Sequence, residues 1–456
     1  DFQMKIPCVQ RLDWVVVGLS FLQPALTSIQ FNNLTLVATA LILGSNFKLS
    51  EISFMWLGEK SVSTLSYFFS DAKFSISEMQ ELYLVQALSL YNLTEGGYFI
   101  IDDTMQHHTR FCKWIHGVCT LFDHVLHTNL KTVCIVFLYY SDGALLKFPI
   151  TFRIFYKEFG LPLPWQKGKK FCKKTKNELA LEMLQWALDQ GFPKAIVLAD
   201  SWFCVASFVT GLKKLQLFYV LEMKANNTIK VSSKEPKLTP KGRLAKRQYD
   251  LVEAATFFES IPASIRCGFQ RNLDNGKDEK VLYHAKIVTV RLNALPGKHR
   301  LVQSYDPTHQ TIKLLITNQL HWNPIKILAA YSCRWVIEEF FRNAKQLSDM
   351  EGATIRSEQG VTLSLCLVSW IDFLLHHQNF ESAAEKTAQE SLSIPSIVRQ
   401  AQADNMEAFL SRVQQDETFV KKWMAIIQRN IRQSRKERKE LVNLDEVEEI
   451  ALAEAA

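Results

Sequence analysis

The 456-residue sequence predicts an α/β protein: a mixed-sheet core carrying a β-rich insertion, with helical regions at both ends. Three observations carry this reading. Apolar runs of strand length crowd between residues 97 and 156 and recur at 194–203, with a helical stretch between them. A second group of alternating runs occupies 219–318, and the segments before 95 and after 330 repeat apolar residues at helical spacing.

Composition limits the function classes. With 48% hydrophobic and 22% charged residues, the chain can bury a large core and is long enough for more than one domain. A balance of 53 Lys+Arg against 46 Asp+Glu leaves +7, compatible with a polyanionic partner without requiring one. Nine cysteines without a CxxC pair indicate neither a disulfide framework nor a zinc knuckle, and a reducing compartment is expected. The histidine pairs His107/His108, His124/His127 and His376/His377 lack Cys or carboxylate at ligand spacing and read as structural or solvent-facing. The most apolar run, LTLVATALILG at 34–44, is too short to span a bilayer, and no signal-peptide layout precedes it. The chain opens on Asp1 rather than Met, and a few residues are expected ahead of it.

Residues 1–95 read as a helical N-terminal region. Within it, 49–71 holds two short amphipathic stretches joined around Gly58, compatible with a helix-turn-helix or a plain helical bundle, and Ser75 with Glu78 forms a capping box for the next helix. The core's first part spans 96–202. GYFIIDDT at 97–104 is a strand that ends in two aspartates and a threonine, and carboxylates at the end of a buried strand are costly unless paired or metal-bound. TVCIVFLYY and ALLKFPITFRIFY flank an Asp142-Gly143 turn as a hairpin, NELALEMLQWALDQGF at 177–192 is helical, and KAIVLADSWF is a short buried strand ending at Asp200. The order β-β-β-α-β with strand-end carboxylates describes an RNase H-like core.

The β-rich insertion is expected over 203–318, with strands at 219–226, 280–292, 299–306 and 311–318. Its KEPKLTPKGRLAKRQY segment at 234–249 carries six basic residues, suited either to phosphates or to plain solvation. The core's second part is expected at 319–362, followed by a helical C-terminal region, 363–456, whose basic stretch at 421–440 reads mainly as a solvated face, with contact to DNA or a second subunit as the alternative.

The sharpest motif is YSCRWVIEEFFRNAKQL. As one α-helix at 100° per residue, it places Tyr331, Arg334, Glu338 and Lys345 within a stripe of roughly 60°, with Val336, Ile337, Phe340 and Ala344 opposite. Glu339 points about 100° away from Glu338 and off the stripe.

These residues resemble the DDE transposases of bacterial insertion sequences whose signature is Tyr-(2)-Arg-(3)-Glu-(6)-Lys, called YREK. The likeness covers about 95–360 and rests on IIDDT, VLADSW and YSCRWVIEEFFRNAK in that order. It implies an RNase H-like catalytic domain with an Asp-Asp-Glu triad that binds two divalent metals per active site, Mg²⁺ with Mn²⁺ as substitute, roughly 3.5–4 Å apart. Carried over, the triad is Asp102, Asp200 and Glu338. Asp103 is the alternative to Asp102, which is preferred because Thr104 follows two residues on. Tyr331, Arg334 and Lys345 are implied to contact DNA phosphates. Trp322 lies too near Glu338 for the base-stacking tryptophan of some relatives, and core packing is its safer role. The implied activity is cut-and-paste transposition: binding of terminal inverted repeats, metal-dependent cleavage, and joining of 3′-OH ends to target DNA by a synaptic homodimer in the bacterial cytoplasm at the nucleoid, with no membrane involved. The alternatives are an RNase H-like nuclease without strand transfer and an inactive DNA-binding descendant.

Overall fold

The computed structural model describes residues 6–428 except 92, 94–95, 110–111, 124–125, 158–173, 234–237, 244–248, 262–263, 273–277 and 386–392. His124, most of the basic 234–249 segment and the 429–456 tail, with the greater part of its basic stretch, therefore lie outside the described residues.

Five helices lead the chain: α1 (Asp13–Gly18), α2 (Ser28–Ile42), α3 (Leu49–Met55), α4 (Val62–Ser70) and α5 (Ile76–Tyr91). Thr27 and Gln30 close a capping box on α2, and Ser75 Oγ accepts from the Glu78 N–H at 3.2 Å. Gly58, between α3 and α4, takes φ +71, which glycine adopts without steric cost. Strands β1 (Tyr98–His108), β2 (Cys119–Asp123), β3 (Thr128–Ser141) and β4 (Lys147–Phe155) follow, then α6 (Lys176–Asp189), β5 (Ile196–Ala199), α7 (Ala206–Lys214) and β6 (Tyr219–Met223). Next come β7 (Thr228–Ser232), β8 (Tyr249–Glu253), α8 (Ala254–Glu259), β9 (Ile265–Asn272), β10 (Asp278–Leu292), β11 (Lys298–Asp306) and β12 (Thr311–Thr317). Helices α9 (Pro324–Ser332), α10 (Trp335–Gln346), α11 (Glu358–Glu385) and α12 (Ile394–Gln415) complete the described elements.

All twelve described strands join one mixed sheet of order β2-β3-β1-β5-β6-β12-β11-β10-β7-β8, with β4 added on β3 and β9 on β10. β1 is antiparallel to β3, and β5 and β6 run parallel to β1. This is the α/β arrangement expected, a large mixed sheet with helical flanks consistent with an RNase H-like core. β6 falls inside the stretch read as insertion, yet it continues the parallel sheet and passes it on to β12, its antiparallel neighbour.

The sequence explains the layering. From Val133 to Ser141, β3 is buried at every position, the uniform apolar run of a strand covered on both faces. α6 packs on β3 and β4. α10 sets Phe340 against Phe137 and Tyr139, two residues apart in β3 and so on one face. Beneath β4 lies α11, tied to β3 by the Tyr139 hydroxyl, which donates to Asp372 at 2.9 Å. Among the described residues α11 is the one helix long and apolar enough to cross a membrane, and 89% of its apolar window is buried inside the fold. It is the central core helix, and the short apolar run at 34–44 belongs mostly to α2.

One expectation needs correcting. The 331–347 segment is two helices rather than one. Arg334 stands between α9 and α10, where Cys333, Arg334, Val336 and Ile337 donate to carbonyls three residues back instead of four. That tight turning, near three residues per turn, overwinds the chain at this point, and the Arg334 guanidinium lies 5.9 Å from the Tyr331 ring.

Candidate active site

Strand register builds the site. The parallel pairing of β1 with β5 ends at Ile101 and Ala199, and that of β5 with β6 matches Ala199 to Leu221. The next residue on each strand is Asp102, Asp200 and Glu222. Neighbouring strands lie about 4.8 Å apart, so three carboxylates stand in a row just past the last parallel pairs. Asp102 lies within β1 and not, as expected, at its end, because β1 runs on to His108 in its pairing with β3. Two members of the row came from sequence. Glu222 did not, although a charged residue inside the apolar run YVLEM was its signal.

α10 brings the fourth carboxylate. Its apolar face, Ile337, Phe340 and Ala344, is buried, which turns Glu338 toward the row and Glu339 toward Lys147, 3.6 Å away at the start of β4. The two glutamates are thus separated by the helix rotation expected of them.

Arg334 joins the pieces. Its guanidinium donates to Asp102 Oδ2 at 2.8 Å and to Glu338 Oε1. Burial pushes the Asp102 carboxyl up to about 7; Arg334 opposes that rise, while Asp200 and Asp103 add repulsion. Asp200 is also raised, first by burial, with the Trp202 N–H and Arg334 holding it down. Burial works against the charge of Arg334, yet Tyr331, Asp102 and Glu338 keep its pKa above the ordinary value.

Asp102 and Asp103 separate as strand alternation requires. Asp103 takes a 2.7 Å ion pair with Lys176 of α6 and accepts from the Cys134 thiol. Lys176 and Lys224 also lie 5.4 and 5.7 Å from the ring of Trp202, which follows Asp200 by two residues and is 51% exposed. Neither Lys176 nor Trp202 stood out in the sequence.

The remaining stripe residues are spread out. The Tyr331 hydroxyl donates to Glu222 at 2.8 Å, and Lys313 pairs with the same carboxylate at 3.5 Å. Lys345 lies further along β1, pairing with Glu351 at 2.9 Å and donating to the Met105 carbonyl. Trp322 is partly buried against the core with Lys326 over its ring, as its packing role required. His107 bridges Asp123 and Glu351.

The donor set fits a hard divalent ion, being all carboxylate oxygen, with Asp102 and Asp200 desolvated and held above the ordinary carboxylate range. Among the described residues, no three His, Cys, Asp or Glu side chains stand grouped to hold one, and Arg334 occupies the space between Asp102 and Glu338.

Carboxylates gathered on a mixed sheet of this order are consistent with the centre of an RNase H-like core. Residues 55–264 match the family model described as DDE superfamily endonuclease, and residues 165–371 match the one described as Transposase DDE domain. The first span contains Asp102 and Asp200, and the second contains Asp200 and Glu338. Both matches support a DDE transposase, with DNA as its partner and transposase or endonuclease activity. DDE-type nucleases generally use divalent metals such as Mg²⁺. No curated protein matches the chain.

Proposed function

We propose that the protein is a cut-and-paste transposase of a bacterial insertion sequence, of the YREK group, acting in the cytoplasm at the nucleoid. The supporting observation is the row of Asp102 and Asp200 on adjacent parallel strands, facing Glu338 across the Arg334 guanidinium. In this reading, residues 1–95 form a helical region, 96–202 and 319–362 the catalytic core, 203–318 the insertion and 363–456 a second helical region.

Asp102, Asp200 and Glu338 are the ligands for Mg²⁺, or Mn²⁺ in its place. Bound there, the ions supply Lewis-acid activation of the attacking oxygen and neutralise charge at phosphorus. The chain's own residues position the DNA. Arg334 offers a planar fork matched to a phosphate, and Lys345 a point charge roughly 10 Å along the helix from Glu338. Tyr331, steadied by Glu222, offers a hydroxyl beside them. Water attacks the phosphorus at the element's end, and the P–O3′ bond breaks to leave a 3′-OH. That 3′-OH then attacks a target phosphodiester, forming a new P–O bond as the target's own 3′-OH departs. Two copies of the chain hold the paired inverted repeats during these steps.

A pre-cut end oligonucleotide taken from the repeats flanking the coding region, incubated with supercoiled plasmid and Mg²⁺, tests the reading. Joined products are expected. Nicking of the plasmid without joining favours the nuclease without strand transfer.

A further inference from the structure

Arg334 sits where the carboxylates need a cation. Its two terminal nitrogens are committed to Asp102 and Glu338, its charge also acts on Asp200, and its side chain is only 12% exposed, so water screens the pairing weakly. A carboxylate lone pair that accepts from a guanidinium is not open to a metal, and a divalent ion needs those oxygens at about 2.1–2.2 Å. The same side chain lines a cavity of about 120 Å³ together with Lys313, Asp306, Tyr331 and exposed Trp335. A change of rotamer can therefore carry the guanidinium off the carboxylates into space beside another cation, a place suited to a phosphate. Phosphate is the other planar-fork acceptor that guanidinium favours.

We propose that Arg334 is a built-in competitor of the metal. In the DNA-free protein it neutralises Asp102 and Glu338, and binding of a DNA phosphate draws it away and opens both ligands to a divalent ion. The proposal rests on the metal-ligand reading of Asp102, Asp200 and Glu338. Its consequence is reciprocal: DNA tightens metal binding, and metal tightens DNA binding by the same factor. Divalent ions are thereby kept from a loaded site until a substrate is present.

The test is Mn²⁺ binding to the full-length protein, followed by the loss of the free-ion electron paramagnetic resonance signal. Without DNA, Arg334→Gln is expected to bind Mn²⁺ at least tenfold more tightly than the unaltered chain, with the gain lost when Asp200→Asn is added. Arg334→Lys keeps a cation but loses the fork, and is expected to fall between the two. A 20-base-pair duplex should tighten Mn²⁺ binding at least fivefold in the unaltered chain and much less in Arg334→Gln, a comparison that still includes the unaltered protein should one variant fold poorly. Equal Mn²⁺ affinity in all three proteins, or equal tightening by DNA, overturns the competition while leaving the metal site in place. Mn²⁺ binding that ignores Asp200→Asn overturns the metal reading itself and the competition with it.

Discussion

The adjacent aspartates offer the most discriminating perturbation, because the structure gives them opposite signs in stability and opposite roles in cleavage. Asp102 is desolvated and repelled by Asp200 and Asp103, and its carboxyl is pushed from 3.8 up to about 7. A shift of that size corresponds to about 4 kcal/mol against the charged form. The folded pKa lies above the unfolded one, so the folded state holds the proton more tightly. Stability is greatest below the unfolded value, falls as pH rises from about 4 to about 7, and is level above that. Asn mimics the neutral carboxyl. Asp102→Asn is therefore expected to stabilise the metal-free protein by up to about 4 kcal/mol at pH 8 and by less than about 2 kcal/mol at pH 5. Asp103 is held in a largely buried ion pair with Lys176, their side chains 17% and 13% exposed. Removing one partner of such a pair costs about 3 kcal/mol. Urea unfolding in EDTA at both pH values, beside a cleavage assay with Mg²⁺, measures both sides. Asp102→Asn should be more stable and inactive, and Asp103→Asn less stable and active in proportion to its folded fraction. A folded, inactive Asp103→Asn beside an active Asp102→Asn refutes the assignment.

Other outcomes follow from the packing. Phe340 is fully buried against Phe137 and Tyr139, so Phe340→Ala should cost about 4 kcal/mol in urea unfolding and loosen the helix that carries Glu338, whereas Phe340→Leu should cost about 1 kcal/mol and keep cleavage. Glu339→Ala alters the neighbourhood of Lys147 and should leave cleavage largely intact; its loss in a folded variant would mean the α10 register is wrong. His299 is 1% exposed, bonded through Nε2 to the Tyr219 hydroxyl, and burial lowers its pKa from 6.5 to about 4. Here the unfolded state binds the proton more tightly, so stability is full above pH 6.5 and declines toward pH 4 by up to about 3 kcal/mol; His299→Gln should flatten that profile.

Much of the site was readable because its determinants are local. An apolar run ending in Asp-Asp, another ending at Asp200, and the helical rotation that parts Glu338 from Glu339 are properties of short windows. What was not readable depends on pairing between distant windows. The row of Asp102, Asp200 and Glu222 exists only through the parallel register of β1, β5 and β6, and a sequence does not print register across a hundred residues. Glu222 was visible as a charge within a strand but had no partner until Tyr331 and Lys313 were folded against it. β7, β8 and β9 were missed because polar residues such as Lys230, Asp250 and Arg266 interrupt their apolar pattern. The break at Arg334 was missed because its neighbours carry neither Gly nor Pro to mark it. α11 falls largely in the stretch read as helical, but its place at the centre of the core was not legible, because its apolar residues go almost all the way round, as befits a helix buried on every side.

The central claim is that Asp102, Asp200 and Glu338 act together as the metal-binding centre of DNA cleavage. Cleavage of duplex ends by Asp200→Ala and by Glu338→Ala, measured with Mg²⁺ beside gel-shift binding to the same DNA, tests it most directly. The account predicts that each substitution abolishes cleavage while binding persists; cleavage surviving in either variant contradicts it.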